Sequence, residues 1–330
     1  VGLDVVLVQS DADMDSPAAG WLREGRDQLV CIGGNTPGES YLNALSIVRV
    51  AEKTGAQALH PGIGFLSENA AFARMCRGHG LNFIGPPAQS MDLMGHKSNA
   101  IHTAAKLGIP VVPGSNGIVT NPEAAAEVAQ QIGYPVIIKA VYGGGGKGIA
   151  VVQRQEEFAE TFQRISAEAR SAFGNGDVYL ERFISSLRHV EVQILRDSQG
   201  HTKVLGLRDC SVQRNNQKVI EESGSTMFPK ELEQAVLGYS AKIVDAINYI
   251  GAGTVEFIYD LTRREVYFME MNTRLQVEHP VTETVSGVDI VAAQFQIAAG
   301  KSIESLEAHV QGYSMELRIN AEKATIGQDG

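Results

Sequence analysis

The stretch Lys139-Ala-Val-Tyr-Gly143-Gly144-Gly145-Gly146-Lys147-Gly148-Ile149-Ala-Val-Val152 decides how the fold is read. Formally it satisfies G-x-G-x-x-G, but that fingerprint needs a helix after the glycines, with its N-terminus facing a pyrophosphate. Here a β-branched run follows instead. A P-loop fails as well, because Gly148 rather than Ser or Thr follows Lys147. What remains is a strand, a glycine loop and a second strand. This is a hairpin flap whose bare amides can close over phosphates, with Lys139 on the incoming strand reaching the same groups. An ordinary glycine-rich hairpin satisfies the loop alone equally well.

Outward from the flap, short strands and helices alternate on its N-terminal side. Residues 5–8, 56–59 and 82–84 read as strands, with helices over 41–53 and 68–79, a pattern that predicts a parallel α/β sheet. Residues 85–111, with Pro86 and Pro87, read as a helical connector. A second unit begins near Val112 with a helix over 123–132, the two flap strands, a helix over 156–170 and a strand over 178–183. Beyond His189 the pattern is mostly β, with strands over 190–195, 203–207, 254–259 and 265–271 and helices over 232–248 and 290–299.

Two of these late strands carry opposed acids. If the turn at 260–264 centres on Arg263, Glu256 faces Glu270, and period-two alternation sets Phe268, Glu270 and Asn272 on one face. Opposed carboxylates repel one another. A hard cation such as Mg²⁺, bound with nucleotide phosphates, removes that repulsion. The next segment, Glu270-Met-Asn272-Thr-Arg274-Leu-Gln276-Val-Glu278-His279-Pro280-Val-Thr-Glu283, shows no periodicity and reads as a loop lining a site. Its Glu278, close to Arg274, suits a base beside an anion.

Composition narrows the function. The 330 residues are 44% hydrophobic and 20% charged, with a net charge of -10, so a basic nucleic-acid-binding face is not expected. Three cysteines without paired spacing and eight histidines without metal spacing point away from disulfides and zinc. No segment is apolar for long enough to span a bilayer, and no signal peptide opens the chain. The chain begins on a strand without an initiator Met and stops at Gly330, just after a strand-like run at 314–320. This reads as a trimmed segment, cytoplasmic, with a mitochondrial address left open.

The strings HPGIGFLSEN (60–69), GYPVIIKA (133–140), the glycine cluster, RHVEVQ (188–193), RDCSVQ (208–213), NQKVIEE (216–222) and EMNTRLQVEHPVTE (270–283) closely resemble biotin carboxylases. These are the components of acetyl-CoA, propionyl-CoA, pyruvate and urea carboxylases that make carboxybiotin. The resemblance implies a mixed α/β and α+β chain with five segments. They are a Rossmann-like pre-ATP-grasp domain over 1–84 lacking its first strand, a connector over 85–111, an ATP-grasp flap over 112–183, an ATP-grasp core over 184–309, and the start of a largely absent C-terminal domain over 310–330.

It also implies roles for individual residues. Lys97, Lys139 and the flap glycines Gly144, Gly145, Gly146 and Gly148 hold ATP phosphates. Glu181 to Ile184 form the strand beside adenine, and His189 and Gln213 touch nucleotide. Glu256 and Glu270, with Asn272 nearby, ligate Mg²⁺ (or Mn²⁺). Lys218, Arg274, Gln276 and Val277 surround bicarbonate, Glu278 takes its proton, and Arg318 stabilises the enolate-like biotin ureido group.

The implied partners are a biotin carboxyl carrier protein or domain, a carboxyltransferase and a second copy of the chain. No Met-Lys-Met biotinylation string occurs, so biotin arrives from elsewhere. The chain departs from the family at Ile63, where Tyr is usual, and at Asn215, where Arg is usual; Asn216 stands where many members have His. Another ATP-grasp ligase, or an impaired homologue that only binds ATP, are the rival expectations.

Overall fold

The computed structural model describes residues 2–115, 117–144, 147–215, 217–224 and 228–320; Gly145, Gly146 and Asn216 lie outside the described residues. It divides into two compact units, one of residues 1–109, 189–257 and 269–330, the other of 110–188 and 258–268. The expected segments 1–84 and 184–309 thus fall largely in one unit. Packing groups residues by burial, not by order along the chain.

The first unit opens with β1 (Val6–Gln9), β2 (Gln28–Cys31), α1 (Ala44–Thr54), β3 (Ala58–Leu59), α2 (Ala70–Gly78), β4 (Asn82–Phe83), α3 (Ala88–Gly95) and α4 (Lys97–Lys106). Its strands are parallel, as the alternation predicts, but they form two separate two-stranded sheets, β1-β2 and β3-β4. Side chains set the helix starts: the Asn43 and Asn69 carboxamides accept from Ser46 N at 3.1 Å and Phe72 N at 2.9 Å. Gly55, at φ 71°, takes the left-handed turn that ends α1. Val48, Phe72, Cys76 and Phe83 fill the core between these elements.

The second unit holds α5 (Pro122–Ile132), β5 (Val136–Gly144), β6 (Lys147–Val152), α6 (Phe158–Phe173) and β7 (Val178–Arg182). Gly143 and Gly144 end β5 and Gly148 lies in β6, two antiparallel strands rather than the start of a helix, and the sheet order is β6-β5-β7. Inward residues at alternate positions, Val136 and Ile138, Val178 and Leu180, pack with Phe158, Phe162 and Ile165 of α6, all buried. This apolar layer fixes the sheet, and register sets Lys139 opposite both Ile149 and Tyr179.

The remaining elements are β8 (Leu187–Arg196), β9 (Thr202–Arg214), β10 (Gln217–Ser223), α7 (Lys230–Ala246), β11 (Gly251–Asp260), β12 (Glu265–Asn272), α8 (His279–Ser286), α9 (Ile290–Ala298) and β13 (Ser314–Leu317). They build a six-stranded sheet in the order β12-β11-β8-β9-β10-β13. Two features depart from expectation. Residues 217–223 form a strand, β10, and the segment expected as a loop through 283 turns helical at His279, with Pro280 in the first turn, where its missing N–H costs nothing. Asn215, at φ 53°, forms the β9–β10 turn, a left-handed conformation that Asn tolerates better than most residues.

Candidate active site

The site grows from an anomaly in β8. Along Val190, Val192 and Ile194 the strand presents an apolar face, and along His189, Glu191 and Gln193 a polar one, yet the sheet buries both faces. Charged side chains are almost never fully buried unless paired. Register supplies the pairing, because Glu191 stands directly opposite Arg208 of β9.

Arg208 is wholly buried and every donor of its guanidinium is used. Its Nε donates to Glu191 Oε1 at 2.6 Å, Nη1 to Gln193 Oε1 at 2.8 Å and Thr282 Oγ1 at 2.9 Å, and Nη2 to Thr254 Oγ1 at 3.2 Å and Gln276 Oε1 at 2.8 Å. Five donors in a fixed fork thus tie three strands to α8 and to the Gln276 loop.

Lys218, from β10, sits beside this fork. Its Nζ donates to Glu191 Oε2 at 2.5 Å, Glu278 Oε1 at 2.6 Å and Glu256 Oε1 at 3.2 Å. Burial works against the ammonium, but the carboxylates, Glu191 foremost, hold its pKa well above the usual lysine range, so it stays charged. Burial likewise works against the Glu256 carboxylate. The hydrogen bond from His189 and the charge of Lys218 outweigh it and bring the acid down to about 2.

Glu256 also accepts from Asn272 Nδ2 at 2.5 Å, Gln276 Nε2 at 3.0 Å and, at its other oxygen, His189 Nε2 at 2.8 Å. Gln213 Nε2 holds the far side of that ring, 2.8 Å from Nδ1. The expected nucleotide contacts His189 and Gln213, the expected metal ligands Glu256 and Asn272, and the expected bicarbonate residues Lys218, Gln276 and Glu278 therefore form one hydrogen-bonded network. Arg318 joins it through Nη2, which donates to Glu278 Oε2 at 2.9 Å.

Arg274 joins less directly. Its Nε donates to Glu68 Oε2 at 2.9 Å and its Nη2 to Asn272 Oδ1 at 3.4 Å. Glu68 also accepts from Thr273 N at 2.8 Å, pinning the loop that carries Arg274. Val277, the next expected bicarbonate residue, is exposed at 43%.

Glu270 stands apart from the other acids. Among the described residues no donor bonds its carboxylate. Burial, followed by the charge of Glu256, pushes its pKa up, while Lys97 at the start of α4 pulls it down. Two neighbouring acids, one without a protein donor, suit a hard dication; at Glu256 one of the four present donors has to yield an oxygen. The groups His189, Glu191 and Glu256, and Glu191, Cys210 and Glu278, also cluster within 4.8 Å. There Lys218 and Arg208 already provide the positive charge.

In the second unit Lys139 donates to Glu181, and its Nζ lies 6.0 Å from the centre of the Tyr179 ring. A phosphate at Lys139 thus competes with Glu181. Two expectations change here. The Gly148 amide is not bare, since it donates to Glu168 Oε1 at 3.1 Å, and β7 ends at Arg182, leaving Ile184 beyond the strand. Glu191, Arg208 and Glu68 lie in the family strings RHVEVQ, RDCSVQ and HPGIGFLSEN, yet the sequence reading gives them no individual role. The polar alternation of β8 is a further signal for the first of them, and the other two have none beyond the strings.

Residues 1–91 match the biotin carboxylase N-terminal domain, and residues 96–306 the ATP binding domain of the carbamoyl-phosphate synthase L chain. The chain is 47% identical over 324 residues to biotin carboxylase 1 of Bacillus subtilis, covering 98% of itself and 71% of that protein. It resembles the crystal structure of the Campylobacter jejuni biotin carboxylase–beta-gamma-ATP complex with a TM-score of 0.81 at 42% identity, over 95% of this chain and 69% of the other. The biotin carboxylase domain dimer of Hydrogenobacter thermophilus 2-oxoglutarate carboxylase, in complex with MgADP, ADP and bicarbonate, also matches at 0.81 and 42%, over 97% and 70%. Among the described residues no helix is long and apolar enough to cross a membrane.

Proposed function

This chain belongs to the biotin carboxylases, and from that premise we propose that it uses ATP and bicarbonate to carboxylate the ureido nitrogen of biotin. The observation that carries the proposal is the junction at Glu278, whose two oxygens accept from Lys218 and from Arg318. A base held between two cations is built to work on an anion and to pass its product to a second acceptor.

Bicarbonate, bound by Lys218, Arg274 and Gln276 with the Val277 backbone, loses its proton to Glu278. The freed oxygen attacks the γ-phosphorus of ATP; the bond to the β-bridging oxygen breaks, ADP leaves, and carboxyphosphate forms. Its C–O bond then breaks to CO₂ and phosphate. Phosphate removes the ureido proton, Arg318 stabilises the resulting enolate-like oxygen, and the nitrogen attacks CO₂. Positioning and fixed charge dominate such phosphoryl transfer. Lys97, Lys139 and the glycine flap are assigned to the ATP phosphates. Glu181 and Ile184 are assigned to adenine. Glu256, Glu270 and Asn272 would hold Mg²⁺ (or Mn²⁺), which when bound neutralises phosphate charge.

The partners follow from the chemistry, since biotin must be brought by a carrier protein or domain and its carboxylate removed by a carboxyltransferase. A homodimer is proposed by likeness to the Hydrogenobacter domain, which is a dimer. Carboxylation of free biotin, and ATP hydrolysis with and without bicarbonate, test the function directly. Turnover should require bicarbonate and Mg²⁺, and Glu270→Gln should abolish it while leaving the circular dichroism spectrum unchanged. ATP hydrolysis indifferent to bicarbonate would return the protein to the rival ATP-grasp ligases or ATP-binding homologues.

A further inference from the structure

Arg318 is held from two sides. Its Nη2 meets Glu278, and its Nε donates to Glu221 Oε1 at 2.6 Å. Its backbone is fixed as well, because Arg318 N donates to Val219 O at 2.9 Å, extending the β10–β13 ladder in which Glu221 lies opposite Glu316. The Nη1 edge of the guanidinium has no partner among the described residues.

Glu221 is an expensive residue for its place. It is wholly buried, and its second oxygen, Oε2, has no hydrogen-bond partner. A buried acceptor left unmade forfeits its hydration without return, so fold stability alone favours an apolar side chain here. Burial pushes its carboxyl up, and Arg318 only partly offsets that. What the acid obtains is geometric. A planar guanidinium bonded at Nε by one acid and at Nη2 by another cannot rotate about its stem, so its free edge is fixed in direction.

We propose that Glu221 is a positioning residue for the biotin half of the reaction, setting the plane of Arg318 so that its free edge meets the ureido oxygen. This rests on the assignment of Arg318 to biotin. Bicarbonate is assigned to Lys218, Arg274 and Gln276, none of which Glu221 holds, so loss of Glu221 should fall mainly on coupling rather than on ATP cleavage.

The test compares two rates in the purified enzyme, bicarbonate-dependent ATP cleavage and carboxylation of free biotin. Glu221→Ala should lower carboxylation by about a hundredfold relative to ATP cleavage, the usual cost of misplacing a reacting partner. Glu221→Gln, which keeps an acceptor at Oε1, should recover that ratio to within about tenfold of the parent. In an Arg318→Ala background Glu221→Ala should change the ratio by less than about twofold, because a residue acting through Arg318 has nothing left to position. Equal loss of both rates in Glu221→Ala and Glu221→Gln, with lowered melting temperatures, makes Glu221 merely structural and overturns the proposal. So does an effect that multiplies with Arg318→Ala. If Arg318→Ala uncouples the enzyme and Glu221→Ala does not, positioning alone fails. If Arg318→Ala leaves the ratio unchanged, the biotin assignment of Arg318 is itself wrong.

Discussion

Two charged pairs on β-strands, Glu191–Arg208 in the first unit and Lys139–Glu181 in the second, look alike in sequence and are built on opposite principles. The Glu191–Arg208 pair is 0% exposed on both side chains, and each partner is shared with further polar groups. Lys139 and Glu181 keep 25% and 21% of their side-chain surface, and the apolar layer from Val136 to Phe162 lies on the other face of their sheet. In the first unit charge is part of the core, and at this pair all five Arg208 donors and both Glu191 oxygens find partners. In the second the core is apolar, and charge is left at the surface, free to exchange one partner for another. A flap that takes hold of a phosphate needs the second arrangement, and a preorganised anion site needs the first.

The sharpest way to break this contrast is Arg208→Met. Removing one side of a buried ion pair leaves an uncompensated charge and costs about 3–5 kcal/mol, so chemical denaturation should show a loss of that size. A loss below about 1 kcal/mol would place the pair among ordinary surface pairs. Glu278→Gln probes the chemistry carried by the same network. It should lower bicarbonate-dependent turnover by roughly a hundredfold or more, the worth of a positioned base, with nucleotide affinity measured by calorimetry nearly unchanged. Joint loss of nucleotide binding and bicarbonate response would make Glu278 a structural residue. The smallest stability effect belongs to Lys139→Met. A partly exposed pair contributes about 0–1 kcal/mol, so the denaturation midpoint should barely move while ATP binding weakens. A large stability loss there would show that the second unit, too, depends on its charges.

Much of the strand and helix content was legible because its causes are local. The β-branched run after Gly148 excluded a dinucleotide helix, and β6 is indeed a strand there. Asn43 and Asn69 start helices α1 and α2 with their own side chains. The string from 270 to 283 was legible as chemistry but not as structure. Its last residues enter α8, and Pro280 in a first helical turn leaves no periodicity to read. Residues 217–223 do not read as a strand because Lys218, Glu221 and Glu222 break the apolar alternation, and two of those charges, Lys218 and Glu221, find their counter-charges only in the folded chain.

By itself, the sequence determined the glycine hairpin, the two acidic strands, the family strings and the acids and cations available to a site. It could not determine which of them meet. Glu191, Arg208, Lys218, Glu278 and Arg318 lie on β8, β9, β10, the start of α8 and the chain just after β13. Only strand register and sheet order bring Arg208 across from Glu191 and Arg318 to Glu221. An acid destined for burial has the same local neighbours as one left in water. Its energy depends on a counter-charge that is distant in sequence, so the decision belongs to tertiary structure alone.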